Sequence, residues 1–205
     1  MKNIIFDLDG TIWDARESIV IAWNNVLERH NINKKITKDD LKAVLGLPFD
    51  EFSKRLLSDV DKEKALKILN ESYEAENIYL TSNGGLLYHN VEEVLKKLAE
   101  KYNLFIVSNC QDGYIEAFYH YHGLDKYFQD YENPGRTGLS KGENIKLIME
   151  RNQLMDAVYV GDTTGDQEAA AYAGIPFVFA RYGFGEVSKY NYAIDTFEQL
   201  LDLPI

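Results

Sequence analysis

Four short apolar runs, each ending at a polar residue or a glycine, constrain the fold more than any other feature of the sequence. They occupy residues 4–6, 104–107, 157–160 and 176–180. Short apolar runs without alternation are typical of strands buried on both faces, as in a parallel sheet. Helical patterns lie between the later runs, and one of them, residues 166–173, stops at Gly174. Strands that alternate with helices predict an α/β fold with a doubly wound parallel sheet.

The stretch from residue 15 to residue 80 contains no convincing strand and has helical patterns instead. Apolar residues recur at helical spacing from Ile19 to Leu27, after Thr37, around Phe52 and again over residues 65–79. This pattern predicts an all-helical domain, residues 15–80, inserted into a core of residues 1–14 and 81–205. Residues 82–85, which read Ser-Asn-Gly-Gly, are expected to form the returning hinge.

The composition limits the kinds of partner and the cellular compartment to be expected for this chain. The formal charge is −11, from 22 Lys and Arg against 33 Asp and Glu, which argues against binding to a nucleic-acid backbone. The single cysteine, Cys110, cannot form an internal disulfide, which fits a reducing cytosol. No run approaches the roughly 18 apolar residues of a membrane span, and no apolar stretch of signal-peptide length precedes Asp7. We therefore expect a cytoplasmic protein, monomeric or homodimeric, that binds neither nucleic acid nor membrane.

The predicted strands end in polar side chains that are capable of chemistry. These are Asp7 and Asp9, Ser108 and Asn109, and Asp162 with Asp166 close behind. In an open parallel sheet ligands bind beyond the carboxyl ends of the strands, so all six are expected at one edge. Lys141, at the start of a predicted helix, could supply a cation there. Clustered carboxylates repel each other unless a cation neutralises them, and Mg²⁺ prefers hard oxygen ligands of this kind.

Four segments, in order along the chain, resemble the motifs of the haloacid dehalogenase superfamily of hydrolases. Residues 7–11, Asp-Leu-Asp-Gly-Thr, resemble the first motif, DxDGT, and residues 161–166 resemble the fourth, GDxxxD. Ser108 after its apolar run is similar to the second motif and Lys141 to the third. Gly142 follows this lysine where the family often has proline, and Lys146 lies nearby as a second candidate. The resemblance spans the whole chain and implies a Rossmann-like core with an inserted helical cap.

The resemblance also implies a role for each matching residue. Asp7 would be the nucleophile that forms an aspartyl-phosphate, and Asp9 the general acid and then the general base. Ser108 and Lys141 would contact the phosphoryl group and complete the catalytic set. Phosphate binding would involve Thr11, Ser108, Asn109 and Lys141. The ligands of Mg²⁺ would be Asp7, Asp9 through its backbone carbonyl, Asp162 and Asp166.

The expected activity is Mg²⁺-dependent hydrolysis of a small phosphorylated metabolite, as in the phosphoglycolate phosphatase-like branch. A phosphomutase of the β-phosphoglucomutase type is the alternative, although Ile19 stands where we align the histidine of those mutases. A receiver-type signalling domain and a non-catalytic binding member of the family are rivals from other classes. Residues 46–48 resemble a cap loop that helps to choose the substrate, with Arg16, Lys54 or Arg55 meeting an anionic leaving group. Trp13 is a further candidate to face the substrate.

Overall fold

The computed structural model describes residues 2–42, 55, 57–58 and 60–205, and within them the chain divides into two compact units. The first unit consists of Met1–Asp14, Leu86–Ile115 and Gly123–Ile205. The second consists of Ala15–Gly85 and Glu116–His122. The predicted domain boundaries, 1–14 with 81–205 and 15–80, stay a prediction.

A six-stranded sheet forms the centre of the first unit. The strands in chain order are β1 Lys2–Phe6, β2 Trp13–Asp14, β3 Leu86–Leu87, β4 Tyr102–Val107, β5 Phe128–Glu132, β6 Ala157–Gly161, β7 Phe177–Ala180 and β8 Tyr192–Ile194. The sheet has the order β5-β4-β1-β6-β7-β8 with every neighbouring pair parallel, while β2 and β3 form a separate antiparallel pair. Strand order reverses at β1, so the carboxyl ends of β1, β4 and β6 meet at a topological switch point. The predicted doubly wound parallel sheet is confirmed.

Both units contain helices, and the helices of the first unit pack on its sheet. In chain order the helices are α1 Arg16–Arg29, α2 Lys38–Lys42, α3 Lys62–Asn83, α4 Val91–Ala99, α5 Tyr114–His122, α6 Pro134–Thr137, α7 Lys141–Arg151 and α8 Thr164–Ala173. Two 3₁₀ turns, Asp125–Tyr127 and Phe197–Asp202, complete the set of elements. Ile5 joins a core cluster that contains Ile145 and Ile148 of α7. Its neighbour Phe6 packs on the rings of Phe128 and Phe197, because successive side chains of a strand point to opposite faces.

Two capping boxes determine where α7 and α8 begin. The Ser140 hydroxyl accepts the backbone N–H of Glu143, and the Glu143 carboxylate accepts the backbone N–H of Ser140. Thr163 and Asp166 form the same reciprocal pair at the start of α8. Each box satisfies backbone donors that a helix start would otherwise leave without partners. The box formed by Ser140 and Glu143 places Lys141 at the first position of α7.

The described residues of the second unit form helices joined by turns and loops, and they contain no strand. The buried side of α1, which includes Ile19, Trp23 and Val26, packs on α3. Asp61 caps the start of α3, and Gly84, with φ of 65°, follows its last residue. The predicted helix over residues 65–79 is therefore longer at both ends and includes half of the predicted hinge.

Some predicted elements lie outside the described residues, and some strands of the structure have no counterpart among the predicted elements. The helix predicted around Phe52, the loop at residues 46–48 and Lys54 lie outside the described residues. Strands β5 and β8 were not predicted, because β5 reads Phe-Gln-Asp-Tyr-Glu and β8 is only three residues long. Both are edge strands, and edge strands carry weak apolar signals. Among the described residues, no helix has the length and apolar character needed to cross a membrane.

Candidate active site

The end of β1 places Asp7 at the carboxyl edge of the sheet. The backbone N–H of Asp7 donates to the carbonyl of Val160 at 2.8 Å, so the chain is still held by the sheet at this residue. Gly10 then takes φ of +80°, a conformation that a residue with a side chain rarely adopts, and turns the chain towards β2. Asp7 is only 5% exposed. A buried carboxylate at a strand end requires a partner.

Lys141 is that partner, and it also contacts Asp166. Its Nζ donates to Asp7 Oδ1 at 2.9 Å and to Asp166 Oδ1 at 2.6 Å. Burial alone would lower the pKa of Lys141, but the charges of Asp166 and Asp7 outweigh burial and hold the pKa well above its ordinary value. Lys141 is therefore a fixed positive charge between two carboxylates. Lys146, the second candidate from the sequence, is exposed and lies over the ring of Tyr172.

Asp166 is held rigidly by the start of α8. Its Oδ2 accepts the backbone N–H of Asp162 at 3.1 Å and that of Thr163 at 2.9 Å. The hydroxyl of Thr163 donates to the same oxygen at 2.7 Å. Since Oδ1 faces Lys141, both oxygens of this fully buried carboxylate have partners.

Asp162 is oriented by the loop that follows β7. Its Oδ2 accepts the backbone N–H of Phe184 at 2.6 Å, whereas its buried Oδ1 has no hydrogen-bond partner among the described residues. A Cβ added to Gly183 would lie 2.3 Å from the Asp162 Cβ, and one added to Gly10 would lie 2.1 Å from its Oδ2. Backbone thus packs directly on both sides of this side chain. The loop leaves one carboxylate oxygen available to a ligand.

Among the described residues, Lys141 is the cation that contacts this cluster of three carboxylates, and its single charge does not balance them. Burial, with the nearby charges of Asp166 and Asp7, raises the pKa of Asp162 to about 8. Burial also raises the pKa of Asp7 to about 6, although Lys141 opposes this shift. Oxygens of Asp7, Asp162 and Asp166 lie within 4.8 Å of one another. Three hard oxygen donors, one of them without a partner, fit a divalent cation that would supply the missing charge.

The other predicted residues lie around this cluster. Ser108, at the end of β4, is buried and lowers the pKa of the Asp7 carboxyl group, whereas its neighbour Asn109 is exposed. The hydroxyl of Thr11 is buried, and no residue in the described part of the chain forms a hydrogen bond with it. Asp9 is half-buried, and its Oδ1 accepts the Tyr114 hydroxyl at 2.8 Å.

Trp13 does not face a substrate as expected. It is completely buried, and its ring lies 5.7 Å from that of Tyr114 in an edge-to-face contact. Sequence reasoning also missed Tyr114 and the backbone N–H of Phe184. The glycines that flank Phe184 after a predicted strand were a usable signal for a close approach, whereas Tyr114 carried none.

Comparison with known proteins gives consistent results at this point. Residues 4–180 match the family of haloacid dehalogenase-like hydrolases. A phosphoglycolate phosphatase of Vibrio vulnificus is 26% identical over 219 residues, which cover 99% of this chain and 96% of the relative.

Two solved structures have the same fold at lower identity. A haloacid dehalogenase-like family protein from Streptococcus pneumoniae has a TM-score of 0.84 at 18% identity, covering 98% of this chain and 97% of its own. CbbY from Rhodobacter sphaeroides, solved in complex with phosphate, has a TM-score of 0.83 at 17% identity, covering 99% of this chain and 100% of its own. Since the family match includes most of β1, all of β4, β6 and β7 and every residue of the carboxylate cluster, this protein belongs to the haloacid dehalogenase-like hydrolases.

Proposed function

We propose that the protein is a Mg²⁺-dependent phosphatase that hydrolyses a small phosphate monoester through an aspartyl-phosphate on Asp7. The observation that supports this most strongly is the bond from Lys141 to Asp7 at 2.9 Å beside the carboxylates of Asp162 and Asp166. Phosphoryl transfer needs a positioned nucleophile and positive charge around the phosphoryl oxygens more than any other device. When bound, Mg²⁺ would supply two such charges. Asp7, the Asp9 carbonyl, Asp162 and Asp166 would hold it.

In the first half-reaction Asp7 is the nucleophile and Asp9 is the general acid. A carboxylate oxygen of Asp7 attacks phosphorus, and the bond between phosphorus and the ester oxygen breaks. Asp9 gives its proton to that leaving oxygen. Lys141 keeps Asp7 ionised and in place, because its ammonium neutralises the buried carboxylate. The Ser108 hydroxyl, buried at the end of β4, would donate to a phosphoryl oxygen.

The second half-reaction releases phosphate. The ionised Asp9 takes a proton from water, the water oxygen attacks phosphorus, and the bond between phosphorus and Asp7 breaks. The carboxylate of Asp7 is restored, so each group ends as it began.

The substrate class follows from the relatives. The Vibrio vulnificus relative is named for phosphoglycolate, a small phosphate monoester, and the CbbY structure contains phosphate. We therefore propose a small phosphorylated metabolite of that size as substrate. The phosphomutase alternative is less well supported, because Ile19 is a buried core residue of α1 and cannot act as the histidine of the mutases does. The family match excludes a receiver-type domain. Cytoplasmic location and a monomeric or dimeric state stay predictions.

A panel of phosphate esters tests this proposal. We expect turnover of p-nitrophenyl phosphate and of one or more small metabolites such as phosphoglycolate in Mg²⁺, and loss of turnover in EDTA. Asp7→Asn should abolish turnover with an unchanged circular dichroism spectrum, while Asp202→Asn, an exposed aspartate of the same unit, should leave it unchanged. Full activity of Asp7→Asn would exclude Asp7 as the nucleophile. Catalytic activity of the unaltered protein also separates an enzyme from a non-catalytic family member.

A further inference from the structure

A buried tyrosine hydroxyl lies against the carboxylate of Asp9. Tyr114, the first residue of α5, is 2% exposed, and its hydroxyl donates to Asp9 Oδ1 at 2.8 Å. The tyrosine is the donor because an ionised carboxylate only accepts hydrogen bonds. The roles proposed for the active site use Asp9 but not Tyr114. The question is what this contact does for the reaction.

Tyr114 is held in place by the turn that also carries Asp9. Its ring packs edge-on against Trp13, which is completely buried. The turn is closed by two backbone bonds, from the Gly10 N–H to the Trp13 carbonyl at 2.8 Å and from the Trp13 N–H to the Leu8 carbonyl at 3.2 Å. The hydroxyl and the carboxylate therefore belong to one packed group. A hydrogen bond between two groups held in this way orients the Asp9 carboxylate in addition to stabilising the fold.

We propose that Tyr114 is a positioning residue that determines which oxygen of Asp9 exchanges protons; this rests on the proposed role of Asp9 as acid and base. Rotation of a carboxyl group about its Cβ–Cγ bond is nearly free without a partner. The hydrogen bond from Tyr114 restricts this rotation and engages Oδ1, so the proton exchange is assigned to Oδ2. When the proton sits on Oδ2, Oδ1 is a carbonyl oxygen and still accepts from Tyr114. The same contact thus persists in both protonation states.

Both proton transfers then use Oδ2. In the first half-reaction the proton leaves Oδ2 for the ester oxygen as the bond between that oxygen and phosphorus breaks. In the second, Oδ2 takes a proton from the attacking water, and the acid is regenerated. A carboxyl group that rotated between the two steps would present the wrong oxygen, and displacement of a reacting group by about 1 Å can cost about 100-fold in rate.

Tyr114→Phe isolates this contact, because it removes the hydroxyl and keeps the ring that packs on Trp13. We expect kcat for an alkyl phosphate to fall by about 10- to 100-fold with KM changed by no more than about twofold. The first turnover of p-nitrophenyl phosphate should keep its rate, since p-nitrophenolate leaves without a proton. The later steady-state rate should fall, because water attack needs Asp9 as base. Tyr102→Phe is the matched control: it removes a hydroxyl bonded to the Ile205 carbonyl, and it should behave as the unaltered protein.

A double-mutant cycle separates this inference from the proposed function. We expect Asp9→Ala to slow the steady-state rate strongly and Asp9→Ala with Tyr114→Phe to be no slower, because Tyr114 acts through Asp9. Normal activity of Asp9→Ala would overturn the role of Asp9 itself. An impaired Asp9→Ala beside a fully active Tyr114→Phe would overturn only the positioning role. The positioning role would also be overturned if the rate losses of the two single variants multiplied in the double variant. Equal slowing of the first turnover and the steady state in Tyr114→Phe would overturn it as well, since either result indicates a general disturbance of the site.

Discussion

Replacing Lys141 by methionine removes the only charge that the described structure places between Asp7 and Asp166. The methionine side chain matches the lysine side chain as far as the ε-carbon and lacks only the terminal ammonium, so it leaves little empty space. It leaves Asp7, 5% exposed, and Asp166, fully buried, without the donor that now lies 2.9 and 2.6 Å from them. Breaking a buried ion pair by removal of one partner costs about 3–5 kcal/mol. We expect a loss of that size at pH 8 in EDTA.

The loss should depend on pH. Without the lysine charge the pKa of Asp7 rises further above its present value of about 6, so at pH 5 the carboxyl is protonated and needs no cation partner. The difference in stability between the two proteins should therefore be smaller at pH 5 than at pH 8. Turnover should fall by about 100-fold or more, as when a donor to a reacting oxyanion is removed.

Urea unfolding followed by circular dichroism measures this loss. With a slope of about 2–3 kcal/mol per molar urea, the midpoint should move down by roughly 1–2.5 M at pH 8. Lys146→Met is the matched control on the same helix: it removes only an exposed contact with the Tyr172 ring, worth about 0.5–1 kcal/mol. Equal midpoint shifts for the two variants would refute the assignment of Lys141 as the buried partner.

Three further outcomes follow from the carboxylate cluster and its surroundings. Asp162→Asn should weaken Mg²⁺ binding by about tenfold or more in calorimetry, and unchanged affinity would exclude Asp162 as a ligand. At pH 8 in EDTA it should also raise the melting temperature, because it removes a carboxyl group whose ionisation is opposed by burial. The melting temperature of the unaltered protein in EDTA should fall as the pH rises from 5 to 8, because the folded Asp162, with its pKa raised to about 8, holds a proton that the unfolded chain has lost. An equally steep fall in Asp162→Asn would contradict the assignment of this pH dependence to Asp162. Gly183→Ala should cost about 1–3 kcal/mol, because its Cβ would lie 2.3 Å from that of Asp162, whereas Gly165→Ala, with 3.6 Å of space, should cost less than 1 kcal/mol in the same unfolding assay.

Much of the first unit could be predicted because its signals are local. The apolar runs that become β1, β4, β6 and β7 are buried strands, and a parallel sheet places their polar ends at one edge by geometry alone. The family, the fold class and the assignment as an enzyme are confirmed by the match over residues 4–180. The roles of the individual site residues stay predictions.

The features that could not be predicted depend on distant contacts. The bond from Tyr114 to Asp9 joins residues 105 positions apart, and that from Phe184 to Asp162 uses a backbone N–H that every residue except proline has. The edge strand β5 carries charges because Glu132 pairs with Arg151 of α7, a reason that appears only in three dimensions. Periodicity cannot report such pairings. Their absence from the sequence-based predictions is therefore expected.

Locating the phosphoryl group on the enzyme tests the central claim most directly. Asp9→Ala, which should accumulate the intermediate, is mixed with p-nitrophenyl phosphate and Mg²⁺, quenched, reduced with borohydride and digested with trypsin. Reduction converts an acyl phosphate of aspartate into homoserine, which fragmentation of the peptide spanning residues 3–16 can place. We predict homoserine at position 7 alone. Homoserine at position 14, or none in a protein that still releases p-nitrophenol, would contradict the covalent role of Asp7.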